Sequence, residues 1–198
     1  LELLRDRRLV GTLLLVTSEF LLIGAYEAVW AVMLTDVGAA TWEVGLSFTI
    51  FAIPLGVLAP LGGTLAQRGN GVLIAMVGLG FSGIIAFFFG VIDSVWGLAA
   101  VAFVASLGSG FGFPAGLYVF SQTVEAARQA ASQGLLGATE VFLAGITAPI
   151  AAWLYDEHGR EIVWIVMPTA MLLMLATGLA LRLRSVDPTP VTVGGRTQ

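Results

Sequence analysis

Six long apolar stretches, at 9–34, 44–65, 72–92, 95–120, 133–155 and 162–181, leave this chain few folds to adopt. A helix rises about 1.5 Å per residue, so about 20 apolar residues cross the hydrocarbon core of a bilayer. Each stretch meets that length. Inside hydrocarbon a backbone must satisfy its own hydrogen bonds, which admits helices or a closed barrel. Barrel strands are a poor match, because the runs are too long, lack period-two alternation and are rich in Leu, Ala and Gly. Composition agrees: 58% of the 198 residues are hydrophobic and 11% are charged. A soluble domain carries about 45–50% apolar and about 25% charged residues. The expected fold class is therefore an all-α membrane protein, a bundle of six transmembrane helices over residues 1–184. The polar stretch 185–198, with Pro188, Pro190, Gly194 and Gly195, reads as a disordered tail.

The breaks between the stretches are short, so neighbouring helices must run antiparallel. All nine basic residues are arginines. If the spans alternate, Arg5, Arg7, Arg8, Arg68, Arg128, Arg182, Arg184 and Arg196 share one side and only Arg160 lies opposite. Under the positive-inside rule this places both ends of the chain in the cytoplasm, and a multi-pass protein of the plasma membrane is the expected location. Trp30, Trp42, Trp96, Trp153 and Trp164 all fall near the outer ends of their spans, which suits indole rings at the membrane interface. Leu1 stands where a Met is expected, so the chain reads as a piece of a longer one.

Spans two and five match without gaps at an offset of 134 − 45 = 89 residues: Gly45, Leu46, Gly56, Ala59, Pro60 and Leu65 fall on Gly134, Leu135, Gly145, Ala148, Pro149 and Leu154. Two units of three helices cross the membrane in opposite senses, because three is odd. A 3+3 inverted repeat of this kind is a signature of several secondary-transporter folds.

Gly63, Leu65, Ala66 and Arg68 resemble the conserved loop G-x-L-A-D-R/K-x-G-R/K-R/K of the major facilitator superfamily. Gln67 replaces the family's Asp, its later Gly falls on Asn70, and Gly71 and Val72 stand in place of the closing basic residues. That degraded form is similar to the copy in the second half of family members. Leu154, Tyr155, Asp156 and Gly159 resemble the L-Y-D-x-x-G that follows the eleventh helix. Glu27 to Trp30, with Asp36 to Gly38, is similar to the end of the seventh helix in many bacterial members. The resemblance covers roughly residues 5–184 and implies an MFS-type half bundle, helices seven to twelve. It further implies a secondary transporter half working by alternating access, with proton-coupled efflux of a small, amphipathic substrate as the nearest description. Its partners would be protons, the lipid bilayer, and a missing N-terminal six-helix half or a second copy. Gly63, Arg68 and Asp156 are the gating-loop candidates, although Gln67 puts any charge-based latch in doubt. A homodimeric transporter or channel and a non-transporting membrane scaffold are the competing readings.

Carboxylates inside a membrane are costly, about 2.5–3.5 kcal/mol at a helix centre on insertion scales, and are functional candidates by default. Glu19 lies near the middle of span one, and Glu27 follows about 80° around the same helix, so the two can share a face. Glu140 sits in span five. A carboxyl group in low-dielectric surroundings favours its neutral form, which lets it take up and release a proton. The competing structural roles are a neutral Glu19 hydrogen-bonded to a neighbouring helix, an interfacial Glu27 beside Trp30, and a local network of Glu140 with Gln133 and Thr139. Gly108, Gly112 and Gly116 imitate a nucleotide loop, but no strand precedes them, and the spacing suits close helix packing. Pro54, Pro60, Pro114, Pro149 and Pro168 favour kinks. With no cysteine and His158 alone, neither an enzyme nucleophile with its base nor a metal site can be assembled, and no cofactor is implied. The scattered arginines form no nucleic-acid patch.

Overall fold

A computed structural model describes residues 6–185, and every regular element among them is helical. The first crossing, Arg7–Asp36, consists of α1 (Arg7–Thr17) and α2 (Glu19–Asp36). The next are α3 (Thr41–Arg68) and α4 (Gly71–Ala86), the latter prolonged by a 3-10 turn at Phe87–Gly90. They are followed by α5 (Val95–Ser121), α6 (Gln129–His158) after a 3-10 turn at Ala126–Arg128, and α7 (Arg160–Arg184). All six crossings are long and apolar enough to span a membrane. The tail beyond Ser185, with Arg196, and the segment containing Arg5 lie outside the described residues.

The helices outrun the apolar stretches at most ends, because polar residues continue and cap them where the chain meets water. Asp6 Oδ1 accepts the amides of Arg8 and Leu9 at 2.8 and 3.3 Å, starting α1. The Glu43 carboxylate accepts the Ala40 amide at 2.8 Å in the first turn of α3. Asn70 Oδ1 accepts Leu73 N–H at 3.1 Å and Ser94 Oγ accepts Gly97 N–H at 3.1 Å, opening α4 and α5. Between α6 and α7 a single residue reverses the chain. Gly159 does so at φ 79°, a region that side chains with a Cβ rarely occupy.

Four helix pairs carry the packing: α3 on α5, α4 on α5, α2 on α6 and α1 on α7. Each is built on glycine. A Cβ added to Gly78 of α4 would meet Gly108 O and Gly112 Cα of α5 at 2.6 Å, and one added to Gly112 would meet Leu79 N at 2.5 Å. Gly11 and Gly178 face each other's backbones across α1 and α7 in the same way. Gly62 lies against Phe111, Gly110 against Pro54, and Gly24 against Ala144. Gly116, expected to continue the α5 stripe, instead faces the Val16 side chain on α1. The first crossing and α5 are the most enclosed, whereas α3 and α6 leave most of their apolar residues uncovered. The latter two therefore lie at the periphery. Pro54, Pro60, Pro114, Pro149 and Pro168 all lie within helices.

Arg7, Arg8, Arg68, Arg128, Arg182 and Arg184 fall at one end of the bundle by helix order, and Arg160 at the other. Arg160 is ion-paired with Asp93 and donates to Ile92 O at 3.0 Å, tying α7 to the turn before α5. Two tryptophans depart from the interfacial reading. Trp42, Trp96 and Trp153 are exposed, but Trp30 and Trp164 are buried. Their indole N–H groups donate to Ser47 Oγ at 2.9 Å and Met33 Sδ at 3.2 Å, so partners within the protein replace headgroup water.

The glycine crossings predict that Gly78→Ala destabilises the protein by on the order of 1–3 kcal/mol, because backbone must move to admit one methyl group. Gly80→Ala, where the nearest atom is Leu175 Cδ2 at 3.9 Å, should leave stability unchanged or raise it by up to about 1 kcal/mol. Unfolding midpoints of both variants in the same detergent check the contrast.

Candidate functional site

Span one changes character at its middle. Thr17 and Ser18 donate their hydroxyls back to Leu13 O and Leu15 O, both at 2.8 Å, and the regular α-helix is interrupted at Ser18. Such back-bonding bends helices. The chain continues through this break, since Ser18 keeps right-handed helical torsions of −57° and −32°. The next residue is Glu19, which is 5% exposed.

Glu19 Oε1 accepts a hydrogen bond from Ser109 Oγ at 2.5 Å, and the Ser109 and Ser82 hydroxyls lie 2.9 Å apart. Ser109 has one proton, so only one of its contacts can be a donation at a time. With Glu19 ionised, Ser82 donates to Ser109 and Ser109 to the carboxylate. With Glu19 protonated on that oxygen, the chain reverses: Glu19 donates to Ser109, and Ser109 to Ser82. The serine pair thus serves both charge states without moving a heavy atom. The second oxygen, Oε2, is buried with no partner among the described residues.

Two cavities meet at this carboxyl. One of about 370 Å³ extends toward the end that carries Arg160 and is lined by Glu19, Tyr26, Glu27, Phe51, Ser82, Phe89 and Trp164 among others. Another of about 250 Å³ runs the opposite way, past Leu55, Ala59, Phe113 and Pro114. Glu19, Ile23 and Phe51 border both. The larger cavity has an aromatic wall. Tyr26 stacks on Trp30 and on Phe51 at centroid distances of 4.3 and 4.8 Å, and Phe89 meets Trp30 and Trp164 edge-on at 5.2 and 4.7 Å. The Tyr26 hydroxyl is also buried without a partner among the described residues. A buried polar group left unpaired is costly, so two in one apolar chamber mark places where a ligand or water can bond.

The structure brings Glu19 and Glu27 to one cavity, with Glu27 exposed at its side. Glu140 is half-buried on α6 and does not border that chamber; Thr139 donates to Leu135 O at 2.8 Å, so the local network with Glu140 is not formed by its hydroxyl. Gly63 and Arg68 lie at the arginine-rich end of α3, with Gly63 facing open space and Arg68 exposed. Asp156 is exposed at the other end of the bundle, where its neighbour Tyr155 donates to Asp36 at 2.6 Å and joins α6 to α2. Sequence reasoning missed Ser82, Ser109 and Tyr26. Hydroxyls in the middle of apolar stretches were the available signal.

A family model described as Major Facilitator Superfamily matches residues 9–197. No curated protein matches the chain. The unpaired hydroxyl predicts that Tyr26→Phe leaves thermal stability unchanged or raises it by about 1 kcal/mol, whereas Ser47→Ala lowers it by about 1–3 kcal/mol by orphaning the Trp30 N–H. Paired unfolding curves check the two signs.

Proposed function

Because this chain belongs to the major facilitator superfamily, a family of membrane transporters, we propose that it is one six-helix half of a proton-coupled carrier in which Glu19 loads and releases the proton. The observation that carries this reading is the position of Glu19 between two cavities that run toward opposite ends of the bundle. A group that exchanges with one side at a time needs access from both, and a relay that accepts either charge state lowers the barrier to switching. Aromatic walls with Glu19 and Glu27 suit a small amphipathic substrate bearing a cation or a hydrogen-bond donor.

The 3+3 inverted repeat is part of the proposal. Exchanging spans one to three with four to six turns the α3–α5 contact into α6–α2, and α4–α5 into α7 with span one. Those are the pairs that pack. The matched glycines Gly45 and Gly134, and Gly56 and Gly145, also share an environment, for each has open space where a Cβ would be. Glycines without a neighbour on the two least buried helices favour a second six-helix unit, an N-terminal half or another copy, against α3 and α6. The arginine bias supports a plasma-membrane orientation with the arginine-rich end cytoplasmic. Efflux is the direction that the family resemblance favours.

In proteoliposomes holding the full-length protein, Glu19→Gln should reduce pH-gradient-driven transport to background while insertion and folding persist. Glu27→Gln should retain the proton dependence and raise the apparent KM for a cationic substrate. Undiminished gradient dependence in Glu19→Gln would refute the assignment.

A further inference from the structure

A second polar site lies where the helices leave the membrane at the arginine-rich end. A cavity of about 280 Å³ opens between the starts of α1 and α4 and the ends of α3, α5 and α7, with Arg8, Asn70, Tyr118, Gln122, Thr123 and Arg182 on its walls. Among the described residues no carboxylate lines it. Arg182 is half-buried and donates through Nη1 to Thr12 Oγ1 at 2.5 Å, with Thr123 Oγ1 at 3.4 Å. Those hydroxyls hold the guanidinium in place without neutralising it, and its other nitrogens make no hydrogen bond among the described residues. Arg8 faces the same space, close enough for its charge to act on Arg182. Asp6, the nearest acid in sequence to Arg8, spends Oδ1 on the α1 amides, and Glu125, beyond Thr123, does not line the cavity.

Two like charges converging on a chamber repel one another, and an anion between them removes that repulsion. Guanidinium groups match phosphate oxygens by bidentate hydrogen bonding, and Asn, Gln, Thr and Tyr side chains supply further donors. We propose that this cavity binds a phosphate-bearing ligand, with Arg8 and Arg182 as its paired cationic contacts. The site stands at the level of lipid headgroups, in the first turn of span one and the last turn of α7. The phosphate can come from an anionic lipid or from solution, and both present the same chemistry to the arginines.

Native mass spectrometry of the full-length protein, after exchange into phosphatidylglycerol or phosphatidylcholine nanodiscs and release, tests the site. The wild type should retain phosphatidylglycerol in preference to phosphatidylcholine. Arg8→Gln and Arg182→Gln should each lower that retention about fivefold, the factor expected for one arginine near a charged surface. Arg7→Gln, which removes the same charge from the same turn without lining the cavity, should not. If Arg182→Gln fails to fold because the guanidinium no longer bridges the Thr12 and Thr123 hydroxyls, Arg8→Gln decides alone. Retention of added inorganic phosphate in detergent, lost in Arg8→Gln, with no lipid preference would assign the source to solution and uphold the site. Equal retention of both lipids with no phosphate bound, or equal loss in Arg7→Gln and Arg8→Gln, would overturn it.

Discussion

Lipid tails are as apolar as leucine, so in a bilayer the hydrophobic effect does little to press one helix against another. Attraction must come from dispersion between surfaces that approach closely, and the closest approach is backbone to backbone. Gly78 against Gly108 and Gly112, Gly11 against Gly178, Gly62 against Phe111 and Gly24 against Ala144 supply that contact in the four principal helix pairs. These crossings fix the rotation of each helix about its own axis. Every later feature depends on that rotation, including which side chains face inward and which polar groups meet.

Glu19 illustrates the dependence. Its partner Ser109 follows Gly108, whose α-carbon lies against α4, and Ser82 sits one turn beyond Gly78 on the facing helix. The same close approach that packs α4 on α5 therefore brings two hydroxyls within 2.9 Å and presents one of them to the carboxyl. A polar triad in this setting is held by apolar packing around it. The aromatic cluster of Tyr26, Trp30, Phe51, Phe89 and Trp164 then closes the outer part of the chamber with rigid rings rather than flexible aliphatic chains.

The two ends of the bundle differ in chemistry. At the Arg160 end, opposite charges and hydroxyls pair off: Arg160 with Asp93, and Tyr155 with Asp36. At the other end Arg8 and Arg182 converge with no acid between them among the described residues. The loop that resembles the family's conserved motif belongs to this second end, yet Arg68 is exposed and makes no hydrogen bond among the described residues. Gln67 stands in place of an acid there, and Arg8 and Arg182 are the arginines of this end that line the cavity.

Much of this was legible before any tertiary structure. Six crossings, their lengths and their alternating directions follow from runs of apolar residues and short breaks, because a bilayer converts local composition directly into backbone conformation. Glu19 and Glu27 could be paired from helical periodicity, and the glycines of α5 could be assigned to packing from their spacing. What spacing could not reveal is the partner. Gly116 shares the stripe of Gly108 and Gly112 but faces a different helix, and Trp30 and Trp164 sit near span ends as interfacial residues do but turn inward to Ser47 and Met33. Ser109 stands 90 residues from Glu19 and 27 from Ser82. Contacts at such separations depend on how three helices are rotated against one another, a property of their shared surfaces that no single stretch of sequence contains.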